Sequence, residues 1–290
     1  QLKKANCRDC YKCIRSCPIK SIEVVDHQAQ IIENDCVLCG SCVLACPQNA
    51  KEVRNDVGKV KELLAGELPV IASVAPSFIA DFAVSGIGEF RESLQKLGFA
   101  GAEETAQGAY IVKSKYEKLI EHAYSSVIIS SCCHTVLKLI QKYYPELIGN
   151  IAPVVTPMQA HAKLLKSQHA CRVVFIGPCI SKKDEAAGKD SAVDAVLTFE
   201  EVYDWLKEEG VSVGSDHELD DSRNISRFFP KAGGILETME KSLAYRYITV
   251  DGMEDCMEAL NELRQGKLEH CFIEMSACKG SCINGPSIRK

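Results

Sequence analysis

Residues 7–18 read CRDCYKCIRSCP and residues 36–47 read CVLCGSCVLACP. Cys7, Cys10, Cys13 and Cys17 run into Pro18, and Cys36, Cys39, Cys42 and Cys46 run into Pro47, so one C-x2-C-x2-C-x3-C-P pattern occurs twice. Two-residue gaps let three thiolates close around one object from a single loop, with the fourth turned aside. Each proline stops the helical turn behind the last ligand. The chain has sixteen cysteines in 290 residues, eight of them before residue 47, which is far more than packing requires. In a reducing compartment such spacing reads as metal ligation rather than disulfides. C-x2-C steps also hold structural zinc, but a tetrahedral site rarely uses this quadruplet twice with proline behind it.

The doubled run resembles the two-cluster bacterial ferredoxins, in which the fourth cysteine of each run ligates the other cluster. The resemblance implies a ferredoxin-like α+β domain over residues 1–55 with two 4Fe-4S clusters. Cys7, Cys10, Cys13 and Cys46 would hold the first, and Cys36, Cys39, Cys42 and Cys17 the second. Two adjacent clusters conduct electrons and perform no reaction of their own, so the remainder of the chain must supply or consume them.

That remainder is large enough for a domain with a substantial core. The 46% hydrophobic and 25% charged fractions are those of an ordinary globular protein. With a net charge of -5 and no cluster of Lys and Arg, nucleic acid is not an expected partner. Val70 to Gly88 is apolar but interrupted by Pro76, Asp81 and several Ser and Gly, so it reads as buried strand and loop rather than a membrane span. No secretory leader is visible, and a cytoplasmic location without membrane contact is expected.

Beyond a linker around Asn55 to Leu68, short apolar runs alternate with helical patterns. Val70 to Val74, Ser126 to Ile129, Arg172 to Ile176, Ala192 to Leu197 and His270 to Ile273 suit buried parallel strands. Gly88 to Leu97, Thr135 to Tyr143, Phe199 to Glu209, Leu236 to Tyr245 and Glu254 to Arg264 read as helices. This alternation predicts an α/β fold with mainly parallel sheets over residues 69–290, where ligands sit beyond the carboxyl ends of the strands. Cysteines follow three of those strands: Ser130-Ser131-Cys132-Cys133-His134, Gly177-Pro178-Cys179-Ile180-Ser181-Lys182, and Met275-Ser276-Ala277-Cys278-Lys279-Gly280-Ser281-Cys282. A lone Cys at a strand end is usually a small buried hydrophobe. Three converging loops behind an electron wire instead suggest a further thiolate-bound cluster.

These three segments resemble the signature motifs of the FeFe-hydrogenase catalytic domain, in order and placement, and the likeness covers nearly the whole chain. Ala75-Pro76-Ser77, Thr156-Pro157-Met158-Gln159 and the loop from Phe229 to Gly234 agree with it. The resemblance implies an H-cluster, that is, a cubane on Cys133, Cys179, Cys278 and Cys282, with Cys282 bridging to a two-iron subcluster carrying CO, cyanide and an azadithiolate. The implied reaction is H2 heterolysis into protons and electrons. Lys182 would hydrogen-bond a cyanide, Cys132 would relay the proton, and Ser77, Gln159, Ser276 and Phe229 would line or support the cofactor. Cys171, Cys256 and Cys271 read as packing residues.

Several positions depart from the catalytic pattern. His134, Thr135 and Val136 follow Cys133 where relatives carry Pro and Trp, and Gly177 and Ser276 replace two methionines, so a roomier and more polar pocket is expected. The stretch Tyr110 to Lys115 offers Lys113 and Lys115 where relatives place relay glutamates. These changes resemble the sensory branch of the family, which reacts slowly and reports on hydrogen. The output domain would lie outside this chain or belong to a separate redox or signalling partner. The alternatives are an efficient hydrogenase and an iron-sulfur assembly relative that keeps the cubane without the two-iron unit. The presence of Cys132 and Lys182 argues against the second.

Overall fold

In the computed structural model, which describes residues 6–82, 84–213 and 225–288, each cysteine run forms a loop and one short helix, α1 (Lys12–Ser16) and α2 (Ser41–Ala45). An antiparallel hairpin of β1 (Ile22–Val25) and β2 (Gln28–Ile31) separates them, and Ile22 and Ala29 pack on Cys13 and Cys17. Gly40 precedes α2 at φ 79°, and a Cβ there would collide with Pro286 at 2.6 Å. The glycine therefore permits both the left-handed turn and the close seat of the chain's last segment on this module.

The expected linker is partly α3 (Val57–Leu64), because Val60, Leu63 and Leu64 repeat at helical spacing and pack on the core of the next domain. The chain then runs β3 (Val70–Val74), α4 (Phe78–Asp81), α5 (Ile87–Lys96), β4 (Gly101–Glu104), α6 (Ala106–Glu121), β5 (Val127–Ile129), α7 (His134–Tyr143) and α8 (Pro157–Gln168). It continues β6 (Arg172–Gly177), α9 (Lys182–Ala186), β7 (Ala195–Thr198), α10 (Phe199–Glu208), α11 (Gly234–Thr238), β8 (Arg246–Asp251), α12 (Met253–Arg264) and β9 (Cys271–Ser276).

The strands form two parallel sheets, ordered β4-β3-β6-β7 and β5-β9-β8. In the first, β3 and β6 pair Val70 with Arg172 through Val74 with Ile176, and both are buried almost throughout. Continuous apolar runs covered by helices on both sides are what parallel sheets require. All five expected strands lie in these sheets with ends shifted by up to three residues. The unexpected strands, β4 and β8, are edge strands whose mixed composition hides them.

Two readings need correction. The helix expected over Leu236 to Tyr245 ends at Thr238, because Met239 turns extended. Leu236, Met239 and Tyr245 are buried without a continuous helix, while Leu243 points fully into solvent. Val70 to Gly88 is not only strand and loop but includes α4 and the start of α5. Among the described residues, no helix is long and apolar enough to cross a membrane.

Candidate functional site

Both sheets aim their carboxyl ends at one place. The loops after β3, β5, β6 and β9 and the N-terminus of α8 meet around a cavity of about 110 Å3, lined mostly by apolar atoms. Cys132, Cys133, Cys179, Lys182, Ser276 and Cys282 line it, and so do Ser77 and Phe229. Directly behind lies a smaller cavity of about 20 Å3, touched by all four of Cys133, Cys179, Cys278 and Cys282. Cys133, Cys179 and Cys282 border both spaces.

Leu38 and Cys39 of the N-terminal module form another wall of the smaller cavity. Cys39 also borders a third space of about 20 Å3, shared with Cys17, Cys36 and Cys42. The second cysteine set is thus assembled with the fourth thiol of the first run, and it lies one side chain away from the thiols of the larger domain. In the remaining set, Cys46 is close enough to Cys13 to raise its pKa, although burial is the larger cause. Among the described residues, no three His, Cys, Asp or Glu side chains close around a single-ion position.

Electrostatics favour a cationic guest among these thiols. Burial, followed by repulsion from Cys179 and Cys133, pushes Cys282 up to about 12. Burial, then Cys39 and Cys36, does the same for Cys42. Such thiols stay protonated on their own and become thiolates only when metal charge compensates them.

Lys182 is buried at the cavity wall. Its ammonium donates to Glu185 Oε2 at 2.5 Å and to the Cys132 carbonyl at 3.2 Å, while Glu185 Oε1 accepts from Thr156 Oγ1 at 2.5 Å. Burial works against its charge, but Glu185 and then Cys179 outweigh it, so its pKa is raised. Ser77 also lines the cavity and is buried, and its hydroxyl has no partner among the described residues. A buried unpaired donor is costly unless a ligand meets it.

Cys132 contacts the Tyr116 hydroxyl at 3.2 Å, and that hydroxyl also meets Ser131 Oγ at 2.9 Å and accepts from the Ser131 N–H at 2.8 Å. Burial holds the Cys132 thiol up at about 12. His134 meets Asp184 at 2.8 Å, with Lys138 on the same carboxylate oxygen at 2.6 Å, so the residue replacing proline is tied into a partly exposed ion cluster. On α6, Lys113 is paired with Glu117 at 2.9 Å. Cys171, Cys256 and Cys271 are buried, as expected of packing residues.

Gly177 does not border the cavity, and neither does Gln159. Its amide donates to Ser191 Oγ at 3.0 Å and its carbonyl accepts from the Ala192 N–H at 2.8 Å, so it pins the segment before β7 instead. The room expected over Gly177 is also taken, since a Cβ there would lie 2.7 Å from the Phe175 ring, which lines the cavity itself. At that point the cavity wall is an aromatic ring, and Ser276 supplies a hydroxyl elsewhere on it. Sequence reasoning missed Glu274, whose carboxylate accepts from Gly233 and Leu236 N–H groups and lines the cavity. Burial, against those backbone donors, raises it to about 7. A single acid inside the apolar run of β9 was the available signal.

Comparison with known proteins agrees with this geometry. Residues 68–286 match the iron only hydrogenase large subunit, C-terminal domain, and residues 6–50 match the 4Fe-4S dicluster domain. Iron hydrogenase 1 of Clostridium pasteurianum is 24% identical across 92% of this chain, which spans 66% of that protein's length. The periplasmic [Fe] hydrogenase large subunit of Nitratidesulfovibrio vulgaris is 26% identical, over 98% of this chain and 85% of its own. The cytosolic Fe-S cluster assembly factor NAR1 of Yarrowia lipolytica is 28% identical, over 67% and 47%. The fold matches a solved [FeFe]-hydrogenase studied for stepwise H-cluster assembly, with TM-score 0.66 and 16% identity over 82% of this chain and 85% of that one. The chain thus belongs to the iron-only hydrogenase large-subunit family, carrying its C-terminal domain behind a 4Fe-4S dicluster domain.

Proposed function

We propose that this chain holds two 4Fe-4S clusters and an H-cluster, and that it cleaves H2 reversibly but slowly, as the hydrogen-responsive part of a sensor. The observation that carries this reading is the adjoining pair of cavities, one bordered by four cysteine thiols from three loops and the other by Lys182 and the unpartnered Ser77 hydroxyl. A cubane on Cys133, Cys179, Cys278 and Cys282 fits the first, and a group with anionic, hydrogen-bond-accepting ligands fits the second. When bound, the two-iron unit supplies the centre at which the H–H bond is polarised and broken.

The chain's own part is positioning and transport. Lys182, held by Glu185, offers an ammonium to a cyanide ligand, Ser77 offers a second donor, and Phe229 and Met158 help keep water out. The Cys132 thiol lines the cavity and would donate a hydrogen bond to the bound group. Cys39 stands between the second ferredoxin set and the four thiols, giving electrons a short path to a redox partner. Slow turnover fits α6, where Lys113 is held in an ion pair with Glu117 and the Cys132 thiol, among the described residues, meets the Tyr116 hydroxyl. The domain limits 1–55 and 69–290 and action in an anaerobic cytoplasm belong to the same reading. A redox or signalling partner that takes up the electrons belongs to it as well.

Infrared spectroscopy of matured protein tests the assignment: CO and cyanide stretching bands are expected. Their absence from protein bearing all three cubanes would favour the assembly-factor reading, which the similarity to NAR1 keeps in view. Before maturation, iron and sulfide analysis should give about twelve of each per chain, from three sets of four thiolates. A value settling near eight would remove the third cluster.

A further inference from the structure

A cavity that exchanges protons needs a path to solvent, and Cys132 does not begin one. Its thiol leads to Tyr116 and Ser131, both buried, which close on each other. A different chain of groups does reach the surface. Thr105, the residue before α6, lines the cavity. Its hydroxyl lies 2.9 Å from Ser73 Oγ on β3, and Ser73 Oγ lies 2.8 Å from His161 Nδ1 on α8. Ser73 and His161 are fully buried. His161 Nε2 has no hydrogen-bond partner among the described residues, yet it faces Glu103 Oε2 at 3.8 Å. The Glu103 side chain is 31% exposed and is steadied by Gln107 Nε2 at 2.9 Å.

We propose that Thr105, Ser73, His161 and Glu103 form a proton path between the cavity and solvent, which rests on the reading that the cavity holds a proton-exchanging hydrogenase centre. The tertiary structure builds it from four elements. Register opposes Ser73 to Glu103 across β3 and β4, and Gly108 lets α8 come close enough to α6 to insert His161. A Cβ at Gly108 would run into the Pro157 carbonyl and the His161 backbone. Burial, opposed by Glu103, keeps the ring pKa well below its usual value, so the imidazole is neutral, with one nitrogen donating and one accepting.

The transfer conserves protons and moves no electrons. Inbound, the Glu103 carboxylate takes a proton from solvent and passes it to Nε2. The Nδ1 proton goes to Ser73, the Ser73 hydroxyl proton to Thr105, and the Thr105 hydroxyl proton to the cavity. No group ends with a changed charge, and the path resets by hydroxyl rotation and tautomer exchange. Outbound transfer is the reverse. The 3.8 Å gap is of the size that one water or a carboxylate rotation bridges.

Two measurements test the path. In protein carrying only its cubanes, nitrogen NMR should show the His161 Nε2 resonance shift on Glu103→Gln. No shift means the two are not connected and overturns the proposal. In matured protein, Ser73→Ala should slow hydrogen evolution by about 100-fold, with infrared bands intact and the ferredoxin clusters reduced by dithionite at the wild-type rate. Glu103→Gln, a surface change that spares the fold, should lose activity that concentrated small buffer acids partly restore. Unchanged evolution in Ser73→Ala with intact bands, or a Glu103→Gln loss that buffer leaves untouched, overturns the path while leaving the hydrogenase reading standing. Missing bands in the wild type overturn that reading and the path with it.

Discussion

Cys179→Ser should lose the cluster of the larger domain, and with it all hydrogen turnover, while both ferredoxin clusters remain visible by electron paramagnetic resonance. Cys179 sits in the loop after β6, borders both site cavities, and meets Ser181 Oγ at 3.1 Å. Serine keeps the shape of that loop but offers a hydroxyl, a hard and poorly ionised ligand where iron in a cubane requires thiolate. Three thiols left around a space built for four should not retain the cubane, and bound iron should fall from about twelve to about eight atoms. Disappearance of every cluster signal would instead identify Cys179 as a residue needed for folding.

Lys183→Met should destabilise the whole chain by about 3–5 kcal/mol, the usual cost of removing one partner from a buried ion network. Lys183 lies beside Lys182 but points away from the cavity, donating to Asp56 at 2.9 Å, Glu201 at 2.9 Å and the Val196 carbonyl at 3.0 Å. The Asp56 N–H in turn donates to Glu201 Oε1 at 2.6 Å, and Arg54 pairs with Asp56 at 2.7 Å. This network ties the segment before α3 to α9 and α10. Methionine fills similar volume and leaves two buried carboxylates short of a cation.

The pH dependence has a definite sign. Burial pushes Asp56 up, but hydrogen bonds and charge from Arg54 and Lys183 outweigh it and leave its folded pKa below the ordinary carboxylate value. A lowered folded pKa contributes stability that is present above the unfolded value and lost as pH falls through the folded one. The gap between wild type and Lys183→Met should therefore narrow below about pH 4. Denaturant melts at pH 7 and pH 3 check both statements, and an equal gap at the two pH values would assign the loss to packing.

The legible and illegible parts of the fold separate along physical lines. Val70 to Val74 was readable as a strand to the residue because burial on both faces demands an unbroken apolar run. Met253–Arg264 and Phe199–Glu208 were readable because their apolar residues recur at helical spacing and face a core. Leu236 to Tyr245 carried the same signal, but Leu236, Met239 and Tyr245 reach the core from a chain that turns extended at Met239, and Leu243 faces solvent. Lys182 and Lys183 are adjacent and chemically identical, yet one faces the cavity and the other closes an ion network, which their order in the chain does not tell.

Cysteine spacing determined that this chain carries a doubled cluster-binding run, because ligands on one loop must keep a local distance and local distances are written in sequence, and unbroken apolar runs set three cysteine-bearing loops at strand ends. Only the tertiary structure decided which distant groups meet. It gathered Cys17 with Cys36, Cys39 and Cys42, set Cys39 against the four site thiols, and sent Gln159 to Ala192 rather than to the cavity. It also placed Glu274 and His161 in the interior as titratable groups beside or behind the site. Contacts between residues 73 and 161 or 17 and 39 depend on how sheets and helices pack, and a single unpaired acid or histidine leaves no periodic trace from which such packing can be read.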